Sequence, residues 1–277
     1  MERDWPVVSI CVLSFNRIDY LKKTLDSFRA TCTYPRLEWI VVDNGSTDDV
    51  TSYIESLEWV DKRIMNTENM GMGHAMNQAR NTAQGEYFFS LENDWLFFYR
   101  SDWLERGVLT FEKDKRGEEV KKEPADLPLG LVKYKLGASV PHYTNNPSLM
   151  SSRAFEDVGE YPQYRREYDY VSEDVHSSEP HYMKRFDERY ACALSETPCA
   201  LHIGSYTTNP MYGNRRGKHF RELDDLLKDE LKDGKWWPTY HYMKIWNRVK
   251  IRRALRRYRG FEASFDASFE ISREERG

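Results

Sequence analysis

Four short polar segments of the chain carry side chains that could bind a ligand or take part in catalysis. Each follows a predicted strand, and they span residues 14–17, 43–48, 69–73 and 92–95. The second and fourth are acidic. The sequence has neither the glycine-rich turn of a dinucleotide-binding fold nor the Gly-Lys-Ser/Thr of a P-loop, so no glycine loop is expected to hold phosphate. A metal ion held by carboxylates is the other common way to bind a diphosphate.

Short predicted strands precede these segments, and all but the third are mainly apolar runs. They are residues 7–13, 39–43, 63–66 and 87–91. Continuous apolar runs of this kind are typical of parallel strands that are covered on both faces. Between them, apolar residues recur at helical spacing in residues 17–31, 48–59 and 73–84. Asn16 is the predicted N-cap of the first helix.

Strand and helix alternate as far as residue 91, which predicts an α/β fold with a mostly parallel, doubly wound central sheet flanked by helices. Ligands of such sheets bind beyond the carboxyl ends of the strands, so the four polar segments are expected to converge there. The later part of the chain predicts a helix after residue 101, an exposed loop at 113–128, strands at 129–136 and 199–203, a helix within 171–190 and a loop at 204–220.

Composition and length restrict the class of protein. The chain has 277 residues, 40% of them hydrophobic, and a formal net charge of -4, which suits one large domain or two small ones. It has no apolar run near the roughly 20 residues of a membrane-spanning helix, and residues 1–6 do not resemble a signal peptide. The four cysteines have no metal-site spacing, so we expect neither disulfides nor structural zinc. These features predict a cytoplasmic protein.

Charge is segregated towards the carboxyl end of the sequence. Residues 244–259 contain eight basic side chains and no acidic one, whereas residues 260–277 contain five acids and two arginines. The basic segment has an apolar stripe and could contact an anionic surface as an amphipathic helix, peripheral to a membrane or against phosphates. Alternatively, the two segments pack as a charge-complementary helical hairpin on either side of Gly260.

The segments VSICVLSFNR, EWIVVDNGSTDD, NMGMGHAMNQA and GEYFFSLENDW resemble, in order and spacing, the nucleotide-binding half of the GT-A glycosyltransferases, most closely glycosyltransferase family 2. The resemblance covers about residues 7–100 and is weaker downstream, where it rests on NPSLMSSRAFEDVGEY, VSEDV and ALHIG. It implies a Rossmann-like GT-A domain over residues 1–243, with a nucleotide-sugar-binding half at about 1–100 and an acceptor-binding half at about 101–243. Residues 244–277 would be a helical extension.

The resemblance implies a nucleotide site at the first two polar segments. Ser14, Asn16, Arg17 and Asp43 correspond to the positions that hold the nucleoside. Asn44 replaces the second acid of the family's usual Asp-Asp-Gly-Ser. The carboxylate of Asp43 can accept hydrogen bonds from a base N–H or a ribose hydroxyl. The alternative is that Asp43 only caps the helix that starts near residue 48.

The resemblance also implies a Mn²⁺ or Mg²⁺ site, because Glu92-Asn93-Asp94 stands where the family carries its Asp-x-Asp motif. Asp94 is the expected metal ligand, while Glu92 and Asn93 are expected at the nucleotide. Glu92, with its longer side chain, could reach a ribose or a metal-bound water. His202 is the candidate that completes the metal shell, since imidazole is a competent ligand for Mn²⁺. A purely structural role is the alternative for His202.

Two further groups of residues are implied for catalysis. In family members that invert at the anomeric carbon, an acidic pair contains the base that deprotonates the acceptor, and Glu173-Asp174 matches it with Asp174 as the base. The same acids could instead complement the dipole of a helix that begins near Ser172. The second group is three basic residues in the predicted loop at 204–220, namely Arg215, Arg216 and Lys218. They could close over the diphosphate, or they could be ordinary solvated surface residues.

Taken with these residues, the resemblance implies a metal-dependent glycosyltransferase that works with inversion. Its donor would be a nucleotide sugar, with a UDP-sugar expected first, and its acceptor a hydroxyl of a glycan, a lipid-linked glycan or a modified nucleic acid. A retaining enzyme on the same fold is an alternative. A sugar-nucleotide nucleotidyltransferase is another, although residues 14–17 contain no glycine for gripping a nucleoside triphosphate. A non-catalytic binding module is a third alternative. Asp94 and the acidic pair Glu173-Asp174 argue against it, because binding alone needs no catalytic base.

Overall fold

The computed structural model describes residues 3–97, 100–135, 142–145, 147–163, 178–196 and 199–202. These residues form the predicted α/β fold. The strands are β1 (Val8–Ser14), β2 (Leu37–Asn44), β3 (Lys62–Asn66), β4 (Tyr87–Glu92), β5 (Trp95–Phe97), β6 (Lys122–Glu123), β7 (Leu129–Lys133), β8 (Ser148–Ser151), β9 (Ala191–Leu194) and β10 (Ala200–His202). The helices are α1 (Ile18–Thr31), α2 (Val50–Ser56), α3 (Met72–Thr82), α4 (Trp103–Lys115), α5 (Ser152–Val158) and α6 (Ser178–Asp187).

The central sheet has eight strands in the order β3-β2-β1-β4-β8-β7-β9-β6. The first four are parallel, and each is joined to the next along the chain by one of the helices α1, α2 and α3. β8 lies antiparallel between β4 and β7, and β6 is antiparallel to β9. The sheet is therefore mostly parallel, as the alternation of strands and helices predicted.

The strand β1 shows why the sheet is covered on both faces. Its seven residues are all buried, and alternate side chains point to opposite sides of a strand. Val8, Ile10 and Val12 belong to one hydrophobic core, whereas Cys11 and Leu13 belong to the other. The continuous apolar run of residues 7–13 thus fills two cores at once, as expected for a parallel strand with helices on both faces.

Aromatic side chains fill much of the first core. Phe28 of α1 lies edge-on to four other rings, with centroid distances of 4.9–5.4 Å. These rings come from β2, β4, β5 and α4, and they are Trp39, Phe89, Phe97 and Trp103. Such edge-to-face contacts add to the burial of large apolar surfaces. They anchor α1 and β5 against β2 and β4, two of the strands that carry the polar segments.

A second, two-stranded sheet pairs β5 with β10 in antiparallel register. The pairing places His202 opposite Trp95, although the two residues are far apart in the sequence. This sheet therefore brings the end of the described chain to the residues that follow β4.

The sequence missed several short elements. It gave no indication of β5, β8, β9 or α5, which span only three to seven residues each. The expectation of a loop over residues 113–128 is partly wrong, because α4 continues to Lys115 and β6 pairs with β9. The expected strand at 129–136 is found as the shorter β7, and a helix within 171–190 is found as α6.

Several predictions concern residues outside the described ones. The loop at 204–220, the domain boundary at residue 243 and the extension at 244–277 all lie there, as does the expected helix start near residue 172. They remain predictions. Within the described residues, no helix is both long and apolar enough to span a bilayer. The four cysteines are free thiols, and three of them are buried.

Candidate functional site

The loop after β1 is fixed to the loop after β2 by hydrogen bonds from its backbone. Asn16 and Arg17 both have left-handed backbones, with φ values of 53° and 67°, which side-chain-bearing residues rarely adopt. The N–H of Asn16 donates to Ser46 Oγ (2.7 Å), and the N–H of Arg17 donates to Asp48 Oδ2 (2.7 Å). Asn16 does not cap α1, contrary to the prediction, because its Oδ1 accepts from the N–H of Thr47 (2.7 Å).

The carboxylate of Asp43 at the end of β2 is buried and organises the turn that follows it. Oδ1 accepts from both the N–H and the hydroxyl of Ser46, and Oδ2 accepts from Thr51 Oγ1 (2.6 Å). Asp43 does not cap α2, whose N-cap is Asp49 and has no side-chain cap bond, so the capping alternative considered from the sequence is not found. In the adjacent β1, the buried hydroxyl of Ser14 has no hydrogen-bond partner among the described residues, so it is available to a ligand.

The side chain of Asn44 is saturated by the protein. Its Nδ2 donates to Asn69 Oδ1 (2.9 Å) and to the carbonyl of Gly71 (3.3 Å). Its Oδ1 accepts from Asn66 Nδ2 and from the N–H of Met70, both at 3.1 Å. These four bonds use the whole capacity of an amide side chain. Asn44 therefore positions the third polar segment, and its amide has nothing left to offer the nucleotide that the sequence assigned to it.

Asp94, which follows β4, meets a guanidinium and an imidazole. Its Oδ2 lies 3.3 Å from Arg17 Nη1 and 3.3 Å from His202 Nε2. The Arg17 guanidinium also packs over the ring of Tyr20, 4.0 Å from its centroid. The imidazole of His202 packs 4.7 Å from the ring of Trp95. The structure thus joins three of the predicted site residues, from the first loop, the fourth loop and β10.

The other oxygen of Asp94, Oδ1, is buried and has no hydrogen-bond partner among the described residues. Burial alone would raise the pKa of Asp94, but its bond to His202 and the charges of His202 and Arg17 hold that pKa below the ordinary value. The group is therefore an ionised carboxylate with one bare oxygen. An unpaired buried oxygen of this kind is costly unless something binds it.

Asp94 and His202 are compatible with a bound divalent cation. Two atoms that bind one ion octahedrally at about 2.1 Å stand about 3 Å apart, close to the 3.3 Å between Oδ2 of Asp94 and Nε2 of His202. In the part of the chain that the structure describes, no group of three or more His, Cys, Asp or Glu side chains is arranged to hold a metal. The pair would therefore supply only part of a coordination shell.

Glu92 and Asn93 differ in what surrounds them. Asn93 is buried, and its Nδ2 donates to the carbonyl of Asn16 (2.9 Å), so it fixes the first loop from the other side. Burial and the carboxylates of Asp94 and Glu179 raise the pKa of Glu92 to about 8. In this environment Glu92 holds its proton at neutral pH far more readily than Asp94 does.

Two charged residues near Glu92 were missed by the sequence reasoning. Lys135 follows β7, and its ammonium lies 5.6 Å from the ring centroid of Trp95. Burial lowers the pKa of Lys135, an effect that Glu92 and Glu179 partly offset. The end of the predicted strand at 129–136 was a signal for Lys135, because it is one more carboxyl end of a sheet strand. Glu179 in α6 had no comparable signal.

The remaining predicted residues lie outside the described part of the chain. They are the acidic pair Glu173 and Asp174 and the basic residues Arg215, Arg216 and Lys218. Their proposed roles as catalytic base and diphosphate loop stay predictions.

Comparison with known proteins finds similarity to glycosyltransferases. Residues 9–118 match the family model for glycosyl transferase family 2. An uncharacterized glycosyltransferase of Haemophilus influenzae is 32% identical over 112 residues, which are 39% of this chain and 34% of that protein. The putative teichuronic acid biosynthesis glycosyltransferase TuaG of Bacillus subtilis is 36% identical over 92 residues, 32% of this chain and 36% of that protein. The chain spans about a third or less of the length of the curated relatives it matches first.

Solved structures share the fold. Mannosyltransferase PcManGT from Pyrobaculum calidifontis, determined with GDP-Man and Mn²⁺, has a TM-score of 0.55 at 19% identity, covering 91% of this chain and 74% of that one. TarS residues 1–349 from S. aureus, determined with UDP-GlcNAc, has a TM-score of 0.51 at 15% identity, covering 94% and 83%. At these identities the likeness shows the GT-A fold that the sequence motifs predicted.

Proposed function

We propose that this protein transfers a sugar from a nucleotide-sugar donor to an acceptor hydroxyl, because residues 9–118 match the family model for glycosyl transferase family 2. The observation that carries the proposal is the environment of Asp94 at the end of β4. One of its oxygens faces Arg17 and His202, and the other is buried and bare. This is a site for the charged diphosphate of a donor and for the cation that accompanies it.

The metal dependence of the reaction belongs to the same proposal. Asp94 and His202 would hold Mn²⁺ or Mg²⁺, which when bound neutralises negative charge on the departing nucleoside diphosphate. Support comes from the bare Oδ1 of Asp94 and from the Mn²⁺ in the PcManGT structure. Arg17, whose Nη2 has no partner among the described residues, would donate to a diphosphate oxygen.

The nucleoside would lie against the ends of β1 and β2. Asp43 and Asn16 line the first two loops, and the hydroxyl of Ser14 is free to bond there. Asn44 and Asn93 would act indirectly, because their amides hold neighbouring loops in place. A UDP-sugar is the donor we propose first. UDP-GlcNAc is bound by the related TarS fold, whereas PcManGT binds GDP-Man.

For the transfer step we propose Asp174 as the base that deprotonates the acceptor, assisted by Glu173, with inversion at the anomeric carbon. A carboxylate in hydrogen-bond reach of a hydroxyl is a common general base. Arg215, Arg216 and Lys218 would contact the diphosphate. The proposed catalytic domain covers residues 1–243, and the basic helix at 244–259 would contact an anionic acceptor or surface.

The variant Asp94→Ala tests the proposal directly. Without this carboxylate we expect sugar transfer or donor hydrolysis to fall by more than about a hundredfold. Wild-type protein with Mn²⁺ should be stabilised by UDP or GDP, by about 2.7 kcal/mol at one hundred times the dissociation constant. Asp94→Ala should lose the Mn²⁺-dependent part of that stabilisation.

Asp126→Ala is the matched control, because Asp126 is an exposed carboxylate between β6 and β7 and is not one of the proposed site residues. It should behave as wild type in both assays. Full activity in a folded Asp94→Ala variant would remove the metal assignment. A wild-type protein that is not stabilised by any UDP- or GDP-linked sugar would contradict the function itself.

A further inference from the structure

The Oδ2 atom of Asp94 is shared by two side chains from distant parts of the chain. Arg17 Nη1 and His202 Nε2 each lie 3.3 Å from it. A cation held by Asp94 and His202 would bind this same oxygen, and would add a second positive group where the guanidinium already makes contact. Only 17% of the Arg17 side chain and 13% of the Asp94 side chain are exposed, so water and salt screen that repulsion weakly.

The main chain of Arg17 is fixed on both sides. Its N–H donates to Asp48 Oδ2 (2.7 Å). Its carbonyl accepts from the N–H groups of Tyr20 (3.0 Å) and Leu21 (3.2 Å) in the first turn of α1. These bonds hold the left-handed backbone of Arg17 at the start of the helix. A rearrangement that separates Arg17 from Asp94 is therefore confined to the side chain of Arg17.

The contacts of the Arg17 side chain allow such a movement. Its guanidinium packs over the ring of Tyr20, 4.0 Å from the centroid, and attraction to the face of a ring does not require one direction of the N–H bonds. Only Nη1 contacts Asp94, whereas Nη2 is buried and has no hydrogen-bond partner among the described residues. The ion pair therefore lacks the two parallel hydrogen bonds of the strongest arginine–carboxylate pairs.

We propose that Arg17 and the divalent cation alternate at Asp94. Arg17 holds the carboxylate until a diphosphate draws its guanidinium away, and the carboxylate then becomes available to the cation. A diphosphate presents several anionic oxygens to a guanidinium, which binds phosphate through two nitrogens at once. The inference rests on the proposed function and adds that Arg17 makes the binding of nucleoside diphosphate and of cation cooperative, each favouring the other.

The first test measures Mn²⁺ binding to the full chain without nucleotide, by electron paramagnetic resonance. Arg17→Met removes the charge and keeps an apolar side chain against Tyr20. It should bind Mn²⁺ about tenfold more tightly than wild type, because the carboxylate no longer has to give up a charged hydrogen bond. Adding Arg17→Met to protein that carries Asp94→Ala should give no gain. A gain below about twofold, or one that persists without Asp94, would overturn the inference.

The second test measures the affinity for UDP or GDP, whichever wild type binds more tightly, by calorimetry with and without saturating Mn²⁺. With Mn²⁺, Arg17→Met should bind about tenfold more weakly than wild type, because a charged contact to the diphosphate is lost. Without Mn²⁺ the loss should be below about threefold, since the guanidinium of wild type must then leave Asp94 to reach the diphosphate. Equal losses under the two conditions would contradict the exchange at Asp94.

Arg29→Met is the matched control. Arg29 is an exposed residue in the last turn of α1, and its guanidinium also packs over an aromatic ring, that of Trp59 at 4.2 Å. The variant should bind Mn²⁺ and nucleoside diphosphate as wild type does. A comparable gain in Mn²⁺ affinity would show a general effect of net charge and would overturn the inference. Failure of the proposed function is distinguishable, because wild type itself would then bind neither UDP nor GDP.

Discussion

Two regions of the molecule are held in place by different kinds of interaction. One is formed by the loops after β1, β2 and β4, and we call it the nucleotide side after its proposed role. The other is the region around Glu179. On the nucleotide side, the loops after β1, β2 and β4 are tied to one another by short polar side chains, such as Asn16, Asp48 and Asn93. In the other region, Glu179 depends on a hydrogen-bond network that leads back to the buried Arg80. That guanidinium is packed among the rings of Phe155, Tyr161 and Tyr182 at 4.9–5.5 Å.

This difference predicts different sensitivities to mutation. Loops that are joined by single hydrogen bonds should be weakened by the loss of one polar group, at a cost of about 1–3 kcal/mol for each buried partner left unpaired. A network held by large packed side chains should respond most to the loss of volume, which costs about 3–5 kcal/mol for a large side chain cut back to alanine.

The largest effect on the free energy of unfolding is expected for Arg80→Ala. Arg80 is only 2% exposed, and its Nη2 donates to Ser90 Oγ and Tyr143 Oη. Its Nε and Nη1 have no partner among the described residues, so packing rather than hydrogen bonding dominates its contribution. We expect a loss of about 3–5 kcal/mol in urea unfolding.

Arg80→Met separates packing from charge, because methionine keeps most of the volume without the guanidinium. It should cost clearly less than Arg80→Ala. The exposed Arg153 is the control, and Arg153→Ala should change stability by less than about 0.5 kcal/mol. If Arg80→Met were as damaging as Arg80→Ala, the region around Glu179 would depend on the charge of Arg80, and its contrast with the loops after β1, β2 and β4 would be lost.

An intermediate effect is expected for Asn44→Ala on the nucleotide side. The substitution removes all four hydrogen bonds that join β2 to residues 66–71. Part of this loop is exposed, so water can replace some of the partners, and we expect a loss of about 2 kcal/mol in urea unfolding. Asn81→Ala, at an exposed position of α3, should cost less than about 0.5 kcal/mol. Equal costs for the two variants would show that the loop is not held by Asn44.

The nucleotide side is also the part of the molecule that the sequence predicted best. The strands β1, β2 and β4 are continuous apolar runs, and their carboxyl ends are neighbours in any parallel sheet of this kind. This reasoning correctly brought the first, second and fourth polar segments together. It did not foresee the left-handed backbone at Asn16 and Arg17, because that conformation depends on partners about 30 residues away in the next loop.

The second sheet and the region around Glu179 could not be predicted in the same way. β5 has three residues and pairs with β10 more than 100 positions later, so no local periodicity indicates it. Arg80 was one basic residue in a helix pattern, and nothing in its neighbourhood showed that it would be buried among tyrosines. The sequence assigned Asn44 to the nucleotide because of its position in the motif. It gave no sign of the four hydrogen-bond partners in residues 66–71 that occupy the amide.

The smallest change in stability is expected for Arg17→Gly, which separates the strain of the first loop from its chemistry. Glycine adopts a φ of 67° freely, which should recover about 1–2 kcal/mol of backbone strain. The loss of the ion pair with Asp94 and of the packing on Tyr20, together with the greater entropy of glycine in the unfolded chain, should offset most of that gain. We therefore expect the free energy of unfolding to change by less than about 1 kcal/mol. With Mn²⁺ present, nucleoside diphosphate binding should fall about tenfold, because the guanidinium of Arg17 is gone.

The control is Arg17→Ala, which removes the same cation and keeps the strain. It should bind equally weakly and unfold more easily than Arg17→Gly. If both variants were equally stable, the left-handed backbone of the loop would carry no strain; if both bound as wild type, Arg17 would not contact the diphosphate.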